Sequence, residues 1–280
     1  MNEDNLKFLK DGLMYMGFGT KLQGELEEKI KQAPKEFQLS VQGEYKRPTG
    51  EVEKVDYKLD YRKSDTTDMF FFNRYKATLL NDLDTTKEKS QTFYVDNNRG
   101  ITAKEAFNLL DGRAVNKDLL TKEKQPYNAW LKLDFSKSDN HGNFELKKFT
   151  QGYGYDLLAT LKKYPIRELD SSEMLVKLTS SLEKGNVQAV TFVREGKEEK
   201  MHIEANPQFK TLNLYDADMK KIFQGNELRT SQSEQPAESK NAGVGLDAKS
   251  ENKEVKKSGP VEDEGADEKS SKKKHRGVGV

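Results

Sequence analysis

Thr102-Ala103-Lys104-Glu105-Ala106-Phe107-Asn108-Leu109-Leu110, closed by Asp111-Gly112, is the segment around which the rest of the chain is read. Its apolar residues recur at helical spacing, and the Asp-Gly pair ends the run. The chain continues through Arg113-Ala114-Val115-Asn116-Lys117 into an expected hairpin from Ala129 to Phe149. That hairpin has a partial copy upstream. When Asp56 to Tyr75 is laid over Trp130 to Phe149, Lys58, Leu59, Asp60, Lys63, Ser64, Asp65 and Phe70 match Lys132, Leu133, Asp134, Lys137, Ser138, Asp139 and Phe144. A second echo pairs Gly17-Phe18-Gly19, then Leu22 and Leu26, with Gly152-Tyr153-Gly154, then Leu157 and Leu161. Leucines four apart share one helix face, so each describes a turn feeding a helix. The expectation is two related α+β units with a permuted element order.

The 280 residues are 34% charged and 34% hydrophobic, with a mean hydropathy of −0.93. Such a chain buries a sizeable core while leaving part unfolded. A net charge of +1 supplies no global field toward nucleic acid or anionic lipid. The absence of cysteine excludes disulfides, thiolate catalysis and thiolate zinc sites. Met1-Asn2-Glu3-Asp4 does not read as a signal peptide, and no apolar run approaches the ~20 residues of a membrane span. A cytoplasmic protein without membrane contact is expected.

The first unit is expected over residues 1–99. Leu6, Leu9, Leu13 and Met16 have helical spacing behind Asn2 or Asn5 as cap, and Leu22, Leu26 and Ile30 extend it to Ala33-Pro34. Phe37, Leu39 and Val41, and then Val55, Tyr57, Leu59 and Tyr61, alternate as half-buried antiparallel strands around a Lys46–Gly50 loop. Met69-Phe70-Phe71-Phe72 breaks the alternation, which predicts cover on both faces. Gln91 to Val95 closes the unit.

The second unit spans residues 100–225. Its hairpin is expected to point Leu131, Leu133 and Phe135 one way and Trp130, Lys132 and Asp134 the other, around an Asp139–Asn143 turn. A helix carrying Leu175, Leu178 and Leu182 starts at Ser171 or Ser172 and ends at Lys184-Gly185-Asn186. A hairpin around Glu195-Gly196-Lys197, a turn inserting Phe209 into the core, a strand from Thr211 to Tyr215 and a helix from Ala217 to Phe223 complete it. The fold class is α+β, with antiparallel sheets carrying helices on one face. Residues 226–280 read as a disordered tail, because they lack the large apolar residues that offset ordering entropy. An acidic run, Glu262 to Glu268, precedes a basic one whose Lys272, Lys273, Lys274 and Arg276 are candidate phosphate contacts.

Catalytic signals are sparse. His141, His202 and His275 form no metal-binding pair, and neither a nucleotide loop nor a Gly-x-Ser-x-Gly elbow is present, so no metal or cofactor is expected. Asp60 and Asp134 occupy equivalent strand positions, where cross-strand pairing with Lys or Arg is expected. The candidate binding surface joins Arg113, Asn116 and Lys117 to Lys132, Lys147 and Lys148, with Trp130 exposed nearby to stack on bases; the plainer alternative is that Trp130 belongs to the core and the lysines are ordinary sheet surface, because tryptophan is usually well buried.

Ala106-Phe107-Asn108-Leu109-Leu110-Asp111-Gly112-Arg113-Ala114-Val115-Asn116-Lys117, Tyr127-Asn128-Ala129-Trp130, Leu133-Asp134-Phe135, Tyr153-Gly154-Tyr155-Asp156-Leu157 and Glu204-Ala205-Asn206-Pro207-Gln208-Phe209-Lys210 resemble a family of unknown function carried on conjugative transposons of gut Bacteroidales. Gly142-Asn143, Tyr164-Pro165-Ile166 and Gly185-Asn186 belong to the same resemblance, which covers Gly100 to Tyr215 and is weaker before it. It implies a bacterial mobile element with neighbouring DNA-transfer and excision proteins, some topoisomerase-like, and transfers no catalytic residue. The expected function is a non-enzymatic accessory protein that binds DNA or a DNA-processing protein of the same element. The alternatives are an enzyme whose charged pocket assembles only in the fold, or a purely protein–protein adaptor.

Overall fold

The structure, a computed structural model, describes residues 2–223. The first half contains α1 (Glu3–Tyr15), α2 (Gln23–Gln32), β1 (Glu36–Lys46), β2 (Val52–Lys63), β3 (Phe70–Leu79), β4 (Lys89–Asp96), β5 (Arg99–Gly100) and α3 (Ala103–Leu110). There follow β6 (Val115–Leu120), β7 (Pro126–Ser138), β8 (Phe144–Thr150), α4 (Leu157–Leu161), α5 (Ser172–Glu183), β9 (Gln188–Arg194), β10 (Lys197–Asn206), β11 (Thr211–Tyr215) and β12 (Lys221–Ile222). The fold is α+β, with three antiparallel sheets ordered β1-β2-β3-β4-β5, β6-β7-β8 and β12-β11-β10-β9.

Local chemistry starts the helices. The Asn2 carboxamide oxygen caps α1 by accepting from Asn5 N–H at 3.0 Å. Asn5 is no cap; its buried carboxamide donates to Phe70 C=O at 2.9 Å and accepts from Phe70 N–H at 2.8 Å, fixing α1 to the start of β3. At α3, Thr102 and Glu105 form a reciprocal capping box. Gly112 ends that helix with φ +88°: its N–H donates to Leu109 C=O, and Arg113 N–H donates to Asn108 C=O, as in a Schellman turn.

The leucines of α1 and α2 and Phe107, Leu109 and Leu110 of α3 cover one face of the five-stranded sheet, against Leu39, Tyr57, Leu59, Tyr75 and Ala77. Thus α3 follows residue 99 in sequence but packs on the sheet formed before it. Cover on both faces of Met69–Phe72 is not what forms. Phe70 and Phe72 are buried while Phe71 is 44% exposed, so these residues alternate, the alternation slipping only at the bulge of Asn73 and Arg74, and Phe71 stands on the outer sheet face.

Both overlaid segments form hairpins, and each loses register just after its matched aspartate, at Asp60/Tyr61 and at Asp134/Ser138. Each aspartate takes a cross-strand cation: Arg74 Nε lies 2.8 Å from Asp60, and Lys147 Nζ lies 2.6 Å from Asp134. The glycine echo also precedes a helix twice, α2 and α4, although Phe18 is buried and Tyr153 partly exposed.

A strand absent from the sequence reading, β6, makes β7 the central strand of its sheet. Val115, Ala129, Leu131 and Leu133 enter the first core from one face. Trp130 and Phe149 leave from the other into a second core with Leu161, Tyr164, Leu182, Phe192, Ile203 and Leu214.

Two expectations fail near the end of the described chain. Residues 217–223 form a turn and β12, not a helix. The Asp216 carboxylate accepts from the N–H groups of Asp218 and Lys220, and Met219 adopts φ +63°, which folds Lys221–Ile222 back onto β11. Phe209 is 69% exposed; Pro207 is buried instead, and Lys210 ends that single turn at φ +52°.

Candidate functional site

A cleft of 680 Å³ opens where the β1–β2 loop, the end of α3, residues 186–188 and the β10–β11 pair meet. Its charged walls are Lys46, Arg47, Glu51, Lys104, Asp111, Arg113 and Glu204. The Schellman turn at Gly112 brings Asp111 and Arg113 to the same side of the helix end. The tight loop of Arg47, whose N–H donates to Glu51 C=O at 2.8 Å, brings a second guanidinium to Asp111. Asp111 therefore lies between two arginines: it accepts from Arg47 and, at 2.9 Å, from Arg113 Nη2.

Arg113 is 9% exposed and packs its guanidinium 5.0 Å from the centre of the Phe107 ring. Its Nε has no hydrogen-bond partner. Burial draws the Arg113 pKa below the ordinary range, against the opposing pull of Asp111 and Glu204. Across the cleft the buried Glu204 carboxylate accepts from Asn213 and, at 3.0 Å, from the Tyr215 hydroxyl. Burial and then the Glu204 charge push the Tyr215 phenol up.

Lys104 stands apart from the other cations. Its ammonium lies 4.5 Å from the centres of both the Tyr45 and the Phe107 rings, themselves stacked 4.4 Å apart. Among the described residues it has no carboxylate in contact. Burial first, then the Arg113 and Arg47 charges, lower its pKa from 10.5 to about 8, with Asp111 opposing. Its place in the first turn of α3 adds the positive end of the helix dipole.

No family model matches the chain. Neither a curated protein nor a solved structure matches it.

The surface expected from sequence does not assemble. Trp130 is 6% exposed, edge-on to Tyr155 in the second core, and offers no stacking face. Lys117 pairs with Glu105 at 3.1 Å, and Asn116 exchanges amide hydrogen bonds with Asn128. The register puts Lys132 and Lys147 on the Trp130 face of β7–β8 and Lys148 on the opposite face. Lys147 is engaged by Asp134, and the half-buried Lys132 has its pKa lowered by burial, with Glu204 opposing. Of that set only Arg113 lines the cleft. Lys272, Lys273, Lys274 and Arg276 lie outside the described residues. Among the described residues no group of three or more His, Asp or Glu is placed to hold a metal ion, and no helix is long and apolar enough to cross a membrane.

The sequence reading missed Arg47, Lys104, Glu204 and Tyr215. Only the Asp111-Gly112 helix stop marked the place.

Proposed function

We propose that the protein is a non-enzymatic binding protein that takes an anionic group, phosphate or carboxylate, into the cleft around Arg47, Lys104 and Arg113. One observation carries the reading: Arg47 and Arg113 share Asp111, with Glu53 taking the Arg47 Nε and Glu51 and Glu204 also in or beside the cleft, yet Arg113 Nε is unpartnered and Lys104 is in contact with no carboxylate among the described residues. Charge repulsion within that group is relieved by a bound anion, and desolvation strengthens each contact the anion makes. Of the candidate basic residues outside the cleft, Lys117 and Lys147 are paired with carboxylates and Lys132 and Lys148 lie on opposite sheet faces, which disfavours a flat phosphate-binding surface there. The resemblance over Gly100 to Tyr215 suggests the setting, an accessory protein in the DNA transfer or excision of a mobile element.

The test is calorimetric titration of the full chain with inorganic phosphate and, separately, with acetate at pH 7. Saturable binding is expected with at least one anion, weakened about tenfold or more by Arg47→Gln, as for loss of one charge-assisted hydrogen bond. Absence of binding by either anion, or undiminished binding by Arg47→Gln, refutes the reading.

A further inference from the structure

We propose that Lys104 is a nucleophilic amine that captures an aldehyde carrying an anionic group, forming an imine inside the cleft. This rests on the anion-binding reading and adds to it a covalent step and a ligand class. The geometry supplies three requirements. Lys104 lines an open cleft, so a ligand reaches its Nζ. The Nζ sits beside the Tyr45 and Phe107 rings, and among the described residues no carboxylate forms an ion pair with it. Arg47 and Arg113 share the cleft and provide the charge that orients an anionic substituent.

The competing effects run in opposite directions. Two aromatic rings and, at longer range, the Asp111 charge favour an ammonium. Burial, two guanidiniums and the helix N-terminus disfavour it, and they prevail: the amine titrates at about 8. Near pH 8 about half of the Lys104 side chains carry a free lone pair, roughly a hundredfold more than an ordinary lysine. The step balances without a further reagent. The Nζ lone pair attacks the carbonyl carbon and a C=N bond replaces C=O. The carbonyl oxygen leaves as water with both amine hydrogens.

The experiment incubates the full chain at pH 8 with pyridoxal phosphate, or with pyridoxal as the aldehyde lacking the anion, then reduces with borohydride and maps adducts by peptide mass spectrometry. With pyridoxal phosphate, Lys104 is expected to be modified roughly tenfold faster than exposed lysines such as Lys148, because lower basicity offsets part of the gain in free amine. Pyridoxal should lag, inorganic phosphate should slow the reaction, and Lys104→Arg, checked for an unchanged melting transition, should remove the adduct. Labelling spread evenly over the lysines, or none at Lys104, overturns the proposal. If phosphate still binds by calorimetry in that case, the anion-binding reading stands and only the covalent step falls. Equal labelling of Lys104 by the two aldehydes overturns the ligand class and counts against the anion site itself.

Discussion

Asp111→Asn tests whether the cleft is held together by its charge network. The Asp111 side chain is 13% exposed and serves two guanidiniums, one on a residue 9% exposed and one 31% exposed on its own side chain. Stranding a buried charge costs about 3–5 kcal/mol, whereas a half-exposed partner contributes about 0–1 kcal/mol. The carboxamide retains one acceptor oxygen for one arginine, which favours the low end, about 3 kcal/mol. For a chain of this size, with a urea slope of about 2.5–3 kcal/mol per molar, the midpoint falls by about 1 M. Urea unfolding at pH 7 reads this directly. The double variant Asp111→Asn/Arg113→Met should recover at least half of the loss, since the penalty is an unpaired buried charge and not a missing contact. A loss below about 1 kcal/mol, the range of an exposed ion pair, or no recovery in the double variant, would refute the reasoning. A second readout is independent of stability. Asp111 opposes the lowering at Lys104, so its removal should move the Lys104 titration below about 8, measured from the pH dependence of amine labelling.

Lys104→Met bears on pH dependence. The Lys104 pKa in the folded state is about 8 against 10.5 unfolded, so the unfolded chain binds more protons between those values and the Lys104 contribution to stability rises with pH across that window. Below it both states are protonated and the charge disfavours folding, so the variant should be more stable at pH 7 and lack the rise between pH 8 and 9.5 in urea midpoints. Glu27 works the other way: hydrogen bonds from Lys10 and Lys31 hold its pKa at about 2, so its contribution is complete above about 4.5 and is lost as pH falls toward about 2. Glu27→Gln should flatten acid unfolding over that range. Gly185→Ala should cost about 2–4 kcal/mol in denaturant melts, because φ is +78° and the added methyl would meet Ala114 C=O at 2.8 Å. Tyr57→Phe removes the 2.7 Å hydrogen bond to Ala103 C=O that ties the first turn of α3 to β2, with an expected loss of about 1–3 kcal/mol and a shifted Lys104 titration.

The fold was legible where local chemistry decides structure. Thr102 and Glu105 at capping-box spacing, leucines at helical period and the Asp111-Gly112 stop each act within a few residues, so α3 and the end that builds the cleft could be placed from sequence. The Asp60 and Asp134 pairings were legible for the same reason: an overlay of two hairpins fixes equivalent positions, and cross-strand neighbours follow from register. Phe71 was misread because three phenylalanines in a row look like a strand buried twice, whereas the ring stands outward from an open sheet face. The terminal helix was misread because the side chain of Asp216 captures the backbone N–H groups that a helix would need.

The site was hidden for a different reason. Alternation assigns the residues of β7 to two faces, but it does not say that both faces are covered. Once β6 flanks β7 and a second core lies beyond it, the face bearing Trp130 becomes interior, and of the two readings of this tryptophan the core one holds: it packs against Tyr155. The same closure positions the cleft. β10 and β11 pack against the Trp130 side and bring Glu204 and Tyr215 opposite the end of α3, while the β1–β2 loop brings Arg47 to Asp111 across 64 residues of sequence. A charge becomes chemically unusual when its neighbours come from distant segments, and composition does not report that. Lys104 illustrates the point: on the sequence it is one lysine in a helix among many, and its pKa of about 8 arises from Arg113 beyond the helix stop, Arg47 in a remote loop and burial beside two rings.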